Sequence, residues 1–521
     1  MARRSVKPSE KLAESLKALH ALQRNNVIAI RSTDLSRTHR QRLIRNGFLQ
    51  EVMKGWYIPT RPDEPAGETT AWYASYWDFC AAYLNDRFGD GWSLSPEQSL
   101  LLHAGNRTVP AQLIVRSSKA RNNDTKLLHG TSMLEIRAAL PTGQNLVIVH
   151  GLRSFSVPGA LVLVPPSFYT QHPTDARTAL AIIRDASEVL ALLLEGGHSA
   201  VAGRLAGAFR NIGRPRIADD ILAAMRAAEF TVQESDPFEA PSPFALPPRQ
   251  LSPYVNRIRL MWQAMREPAI KAFPAPPGLP KDITPYMKQV SETYVLDAYH
   301  SLSIEGYRVS AELIERARGG KWNPDLDKKD QEHRNALAAR GYWQAYQEVQ
   351  DSVRRILKGE NGGVVADKDH GKWYRELFGP SVTAGILKTS DLAGYRNSPV
   401  YIRRSMHVPP SADTVRDVMP LLFELLSQEK EPGARVVLGH FIFVYIHPYI
   451  DGNGRMGRFL MNTMLASGGY PWTVVPVTVR KEYLGSLEQA SVHQNIAPFS
   501  ALLARLVRDT MKGKTASVPT A

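Results

Sequence analysis

The chain of 521 residues holds one cysteine, Cys80, which excludes any disulfide within it and suits a cytoplasmic location. Among Trp77, Phe79 and Tyr83, Cys80 reads as core packing rather than as a nucleophile. No apolar run is long enough to span a bilayer, and the opening Met-Ala-Arg-Arg-Ser-Val-Lys lacks the apolar stretch of a secretory signal. Neither a membrane partner nor export is therefore expected. Internal repeats are absent, and His150, His172 and His198 lack metal-ligand spacing. Acidic residues are scarce at the start: residues 1–60 hold 12 Lys/Arg against 4 Asp/Glu, more than half of the net charge of +14. An anionic partner for that segment follows. The remaining composition, 43% hydrophobic and 22% charged, is that of a globular protein with length for about three domains.

One stretch organises the rest: His447-Pro448-Tyr449-Ile450-Asp451-Gly452-Asn453-Gly454-Arg455-Met456-Gly457-Arg458. An apolar run, 436–446, precedes it, and Phe459, Leu460, Met461 and Met464 continue beyond it at helical spacing. The polar dozen between them predicts a loop that opens a helix. Gly452, Asn453 and Gly454 suit a tight turn whose backbone N–H groups converge, and a helix N-terminus favours an anion. Arg455 and Arg458, three apart, can grip a polyphosphate from one helix face. Asp451 is a hard ligand suited to Mg²⁺, and His447 is the nearby group able to accept a proton near neutral pH. Singly, each residue is more often a turn, a solvated arginine or a structural histidine. In this order and spacing they point to one phosphate site.

The stretch resembles the motif of the Fic family, His-Pro-Phe-x-Asp/Glu-Gly-Asn-Gly-Arg-x-x-Arg, departing from it only at Tyr449. The resemblance implies a helical bundle that transfers AMP from ATP to a protein hydroxyl. It gives His447 the role of base, Asp451 that of Mg²⁺ ligand, and Gly452, Asn453, Gly454 and Arg455 that of phosphate cradle. Arg458 would take the γ-phosphate. Doc-like kinases of the wider family carry Lys at the position of Gly454, so Gly454 favours nucleotidyl transfer. Upstream, Ser301-Leu302-Ser303-Ile304-Glu305-Gly306 alone is an ordinary helix end with Gly306 as its C-cap. It also matches the family's inhibitory motif Ser/Thr-x-x-x-Glu-Gly/Asn, which implies Ser301, Glu305 and Gly306 as a brake, with Glu305 paired to Arg458. Gly394-Tyr395-Arg396 through Pro410 resembles the family's flap, a β-hairpin on which Val400, Tyr401 and Ile402 would dock an extended target.

The N-terminal half reads differently. In residues 1–60 a leucine-spaced helix is followed by a second segment, 37–46, that Ser36 can cap and Gly47 stops. Leu43 and Ile44 are its expected inward residues. Two strands, 48–52 and 56–58, join at Met53-Lys54-Gly55. A basic helix before such a wing is a DNA-docking pattern, with Arg37, His39, Arg40, Arg42, Arg45 and Lys54 as candidate contacts; a solvated basic face is the plainer alternative. Residues 15–58 resemble the N-terminal domain of AbiEi-type antitoxins and related regulators, through Gly47-Phe48-Leu49 and Gly55-Trp56-Tyr57. Residues 61–233 predict an α/β region with buried strands at 146–149 and 160–164 and a helix over 178–194. Prolines then mark a linker with a short helix over 234–283.

The expected architecture is multidomain. A winged helix-turn-helix (1–60) and an α/β region (61–233) lead through the linker to an all-α Fic bundle with a β-hairpin flap (284–512) and a tail (513–521). Within the bundle, the inhibitory helix is placed at 286–306, the flap at 394–410 and the motif at 447–458. The expected activity is AMP transfer from ATP, with Mg²⁺, to a Ser, Thr or Tyr hydroxyl of a protein. DNA at residues 1–60 and a homodimer are the further expected partners. A transcriptional regulator whose Fic domain senses nucleotide is the rival reading; intact His447 and Asp451 argue against it. Removal of AMP, or transfer of another nucleotide, would use the same cradle.

Overall fold

A computed structural model describes residues 8–25, 27–62, 68–243, 252–319, 333–514 and 516–517. The chain folds into two compact units, Met1–Arg257 with Tyr401–Val408, and Ile258–Val400 with Pro409–Ala521. Residues 244–251 of the expected linker, and 515 and 518–521 of the expected tail, lie outside the described residues.

The first unit opens with α1 (Pro8–Arg24), β1 (Ile30–Arg31), α2 (Arg37–Arg45), β2 (Leu49–Met53) and β3 (Trp56–Pro59). The strands form an antiparallel sheet in the order β1-β3-β2. Ser36 caps α2 by accepting from His39 N–H, and Gly47, at φ 72°, turns the chain so that Phe48 N–H reaches Leu43 C=O at 2.9 Å. Leu43 is fully buried with Leu19, Ile30, Leu35, Leu49 and Tyr57. Ile44, expected to face inward beside it, is 39% exposed. Neighbours on a helix lie about 100° apart, and this short helix buries one narrow stripe.

Next come α3 (Thr70–Phe88), β4 (Ser93–Leu94), α4 (Pro96–His103), β5 (Gln112–Ser117), β6 (Asn123–Lys126), β7 (Ser132–Arg137), β8 (Leu146–Val149) and β9 (Leu152–Phe155). Strands β4-β5-β7-β6 make one sheet, parallel only between β5 and β7, and β8-β9 is a separate hairpin. Trp72, Tyr76, Phe79 and Cys80 of α3 are wholly buried in the core. Strand β8 is present but not buried; Ile148 is 60% exposed. The run 160–164, expected as a strand, belongs to α5 (Val157–Leu163). Ser156 accepts from Gly159 N–H and proline sits in the first turn, so these apolar residues are a capped, buried helix. Helices α6 (Ser167–Gln171), α7 (Pro173–Ile182), α8 (Ser187–Glu195), α9 (Ser199–Asn211) and α10 (Pro215–Ala227) follow. The single helix expected over 178–194 is broken, because Asp185 accepts from Ser187 N–H and starts a new one.

The segment Tyr401–Val408 packs within this unit. No strand forms over 394–410, so the expected β-hairpin flap is absent. Other bonds take the place of a ladder. Arg404 N–H donates to Thr70 Oγ1 and Val109 N–H to Met406 C=O, while Arg403 and Arg404 both reach the Glu68 carboxylate. Burial would raise the Glu68 pKa, but the Thr70 hydroxyl and the Arg403 guanidinium outweigh it and hold the carboxyl at about 2.

Helix α11 (Pro253–Ala272) crosses the division. The second unit continues with α12 (Thr284–Ile304), α13 (Ala311–Arg318), α14 (His333–Leu357), α15 (Gly362–Thr383), α16 (Ala412–Gln428), α17 (Pro432–Ile446), α18 (Asn453–Ala466), α19 (Arg480–His493) and α20 (Ala497–Met511). It contains no strand among the described residues. Helices α17 and α18 are buried on nearly every face: α17 is apolar almost throughout, whereas α18 buries Asn453, Arg455, Arg458, Asn462 and Thr463 beside its apolar residues. Helix α12 is fastened along its length: Tyr346 Oη donates to Val290 C=O at 2.7 Å, Tyr342 Oη to Asp297 at 2.6 Å, and Arg480 Nε to Ile304 C=O at 2.7 Å. No helix among the described residues is long and apolar enough to cross a membrane.

Candidate active site

The site lies in the second unit, where three helix ends meet: the C-termini of α17 and α12 and the N-terminus of α18. Helix α17 stops at His447, which adopts the left-handed conformation (φ 53°, ψ 60°). A non-glycine residue there costs about 1–2 kcal/mol, so the surroundings must hold it. Arg396, 1% exposed, does so: Nε donates to His447 C=O at 2.8 Å, and its backbone N–H to Pro448 C=O at 2.9 Å. Burial lowers the Arg396 pKa to about 10, which leaves it charged near neutral pH.

The His447 ring is set by its own helix. Nδ1 lies 3.1 Å from Val444 C=O. A carbonyl can only accept, so Nδ1 carries the proton and Nε2 is left with its lone pair. Burial lowers the imidazole pKa to about 4, and the Arg396 charge works the same way. The bond to Val444 and the carboxylates of Glu305 and Asp451 oppose that shift. Near neutral pH the His447 imidazole is therefore uncharged, with Nε2 unprotonated.

Beyond His447 the loop is locked by Asn453, whose side chain accepts from Tyr449 N–H at 2.9 Å and donates to Tyr449 C=O at 2.8 Å. That side chain is committed to the loop, so only its backbone N–H is left for the cradle predicted from the sequence. Tyr449, the one departure from the family motif, stacks on Tyr374 with ring centres 3.8 Å apart. Gly452 caps α18 at φ 80°, where a Cβ would come within 2.7 Å of the Phe378 ring. The first backbone N–H groups of α18 precede its hydrogen-bond ladder and are open to an anion.

A carboxylate from the same chain already sits there. Arg458 Nη2 donates to Glu305 Oε1 at 2.7 Å and to Ser301 C=O at 3.0 Å, and Nε donates to Ser301 Oγ at 2.8 Å. Burial alone would lower the Arg458 pKa; the Glu305 carboxylate more than restores it. A Cβ on Gly454 would fall 2.3 Å from Glu305 Oε1, so the glycine is what admits the carboxylate to the head of α18. Gly306 has a matching task at the end of α12. With φ 87° it lets its own N–H bond Ser303 C=O and Tyr307 N–H bond Leu302 C=O, the Schellman pattern that closes the helix and fixes Glu305.

Arg455 is 1% exposed, and it lies with Tyr307 at 5.2 Å and Phe378 at 5.0 Å from its guanidinium carbon. Its Nη2 is 3.4 Å from Asp451 Oδ2. Arg455 Nε and Arg458 Nη1 are buried donors with no hydrogen-bond partner among the described residues. Buried donors are rarely left unmet, and an anion's oxygens would satisfy both. Asp451 is 64% exposed at its side chain, and no group of three or more His, Cys, Asp or Glu residues among the described ones could hold a metal by itself.

Residues 370–465 match the Fic/DOC family. This stretch is similar to a Fic domain. The chain is 29% identical over 244 residues to the protein adenylyltransferase Fic of Nematostella vectensis, covering 46% of this chain and 53% of that one. It is 28% identical over 227 residues to the protein adenylyltransferase fic-1 of Caenorhabditis elegans, covering 43% and 41%. It therefore spans about half the length, or less, of these curated relatives. Among solved structures, a fragment of Fic-1 from C. elegans aligns over 62% of this chain and 91% of its own length, at 18% identity and a TM-score of 0.38, too low to place any element.

The structure brings His447, Asp451, Gly452, Gly454, Arg455, Arg458, Ser301 and Glu305 together in one place. It does not bring Val400, Tyr401 and Ile402 into a strand, and Tyr401 and Ile402 group with the first unit. Of the basic residues on α2, Arg42 donates to Lys11 C=O and Ser15 Oγ, His39 Nδ1 meets Ser15 Oγ, and Arg40 bonds Ser32 C=O. Arg37 and Arg45 of α2, and Lys54 at the turn between β2 and β3, are exposed. Sequence reasoning missed the clamp formed by Arg396, the pinning of α12 by Arg480, and Tyr307. For Arg480 no local signal existed, since it acts 176 residues away on a backbone carbonyl.

Proposed function

We propose that the Fic domain transfers AMP from ATP to a hydroxyl side chain of a protein, and that the end of α12 restrains it. The observation that carries this reading is the Glu305 carboxylate on Arg458, seated at the head of α18 in the same site as a neutral His447. An anion already occupies part of a place built for anions. In the proposed reaction the target hydroxyl gives its proton to His447 Nε2 while its oxygen attacks the α-phosphorus. The bond from that phosphorus to the β-phosphate bridging oxygen breaks, and pyrophosphate leaves. The first N–H groups of α18 and the free donors of Arg455 and Arg458 bind and orient the phosphates. With Glu305 in place Arg458 is committed to it, so nucleotide and carboxylate compete. The names of the relatives support the reaction class.

An exposed lone carboxylate beside a phosphate cradle is the donor set that Mg²⁺ uses when phosphates supply its other ligands, so Asp451 fits that ion. When bound, the ion would neutralise phosphate charge. The test is incubation of wild type, Glu305→Gly and His447→Ala with α-labelled ATP, Mg²⁺ and a lysate. Label should be weak with wild type, strong with Glu305→Gly and absent with His447→Ala. Equal labelling by wild type and Glu305→Gly across ATP and metal concentrations would remove the restraint from the account.

We also infer that residues 1–60 form a winged helix-turn-helix that contacts DNA, supported by the basic excess and by exposed Arg37, Arg45 and Lys54. Since Arg40 and Arg42 donate to the unit's own backbone, these three carry the proposed contacts. Binding that weakens with salt, and weakens further in Arg37→Ala/Arg45→Ala, is the expected result. Salt-insensitive or unaltered binding would contradict it. Docking of an extended target at Val400, Tyr401 and Ile402 would require this segment to leave the bonds that Tyr401–Val408 makes in the first unit.

A further inference from the structure

We infer that Tyr307 sets nucleotide affinity at this site, as a second latch that holds the end of α12 through Arg455. This inference rests on the reading of Glu305 as a competitor of the nucleotide. Tyr307 is the residue that completes the Schellman closure, through its N–H on Leu302 C=O at 3.1 Å, so its backbone is part of the structure that presents Glu305. Gly306 between them is reversed at φ 87°, which sends the two side chains to different arginines. Glu305 goes to Arg458, and the Tyr307 ring lies 5.2 Å from the guanidinium carbon of Arg455. The ring is also 5.4 Å from the guanidinium carbon of Arg334, on α14.

A guanidinium against an aromatic face gains most where water is excluded. Arg455 is 1% exposed whereas Arg334 is exposed, so the contact with Arg455 is the stronger one. Both arginines predicted to serve the phosphates are therefore engaged by residues two apart on one helix end. One backbone closure presents both Glu305 and Tyr307, so opening of the α12 end would release both contacts. Nucleotide entry works against both contacts together.

The test measures binding of a non-hydrolysable ATP analogue by calorimetry for wild type, Tyr307→Phe, Tyr307→Ala and Glu305→Gly, with AMP transfer recorded beside it. Tyr307→Ala should bind the analogue about three- to tenfold more tightly than wild type. Tyr307→Phe, which keeps the ring, should stay near wild type. At saturating nucleotide the transfer rate of Tyr307→Ala should match that of Glu305→Gly, so the change falls on affinity rather than on the chemical step. If Tyr307→Ala binds no better than wild type while Glu305→Gly does, the latch is wrong and the Glu305 reading stands. Weaker binding by Tyr307→Ala would overturn it in favour of a ring that orients Arg455 for phosphate. Should Glu305→Gly itself bind no better, the failure lies with the competition on which the latch depends.

Discussion

Two helix ends, that of α17 and that of α12, meet at the N-terminus of α18 and solve the same problem differently. Each leaves its helix through a left-handed residue. At α12 that residue is Gly306, which meets no steric penalty, and the closure is the common Schellman pattern. At α17 it is His447, and the strain is met by Arg396 gripping the carbonyls that follow. A glycine would relax the α17 end but could not take the proton that the proposed transfer requires. The α12 end meets no such strain and is closed by relaxed parts.

Four substitutions or conditions separate the two ends. The largest effect is expected from His447→Ala, which should lower AMP transfer by about 10²–10⁴-fold in a Glu305→Gly background, read from initial rates of label transfer. An intermediate effect is expected from Glu305→Gly alone. Removing a charge-assisted bond to a buried arginine, discounted because the Glu305 side chain is 32% exposed, corresponds to about tenfold in nucleotide affinity. Gly306→Ala should follow. A Cβ there meets nothing within 4 Å, so only the φ of 87° opposes it, at about 1 kcal/mol or somewhat more. The α12 end should loosen, giving a rise of several-fold in AMP transfer with little change in melting temperature. Inactivity in Gly306→Ala would show that the α12 end supports catalysis instead of restraining it.

The smallest effect is in pH. Burial lowers the His447 pKa from its ordinary value to about 4, so the base is neutral above that value and protonated below it. The acidic limb of the rate profile should therefore lie well below pH 6.5. Glu305 raises this pKa because its negative charge stabilises the imidazolium. Glu305→Gly should accordingly move the limb lower still, by a fraction of a pH unit. A limb at or above 6.5 would mean that the ring is solvated.

The turn between α17 and α18 was legible in the sequence, because its residues are contiguous. Asp451, Gly452, Gly454, Arg455 and Arg458 fall within eight residues, and a turn followed by a helix leaves few ways to arrange them. Ser301 and Glu305 were legible only through their match to a family motif, since nothing local tells a helix end with a glutamate which arginine it will meet 153 residues later. The misreadings have physical causes of their own. Residues 160–164 form an apolar run that satisfies a buried helix as well as a strand, and Ser156 with its cap decides between them. Val400, Tyr401 and Ile402 have β-branched and aromatic character, yet propensity gives way to tertiary bonds, here the grip of Glu68 on Arg403 and Arg404. Of the candidate DNA contacts on α2, Arg40 and Arg42 donate to backbone carbonyls of the unit itself, a pairing that no local spacing signals.

The central claim is that Glu305 holds the seat on Arg458 that the terminal phosphate of ATP requires. Its most direct test is calorimetric binding of ADP and of a non-hydrolysable ATP analogue to wild type and Glu305→Gly. The account predicts that the substitution tightens the triphosphate by about tenfold and leaves ADP nearly unchanged, because only the triphosphate reaches Arg458. Equal tightening of both, or of neither, would contradict it.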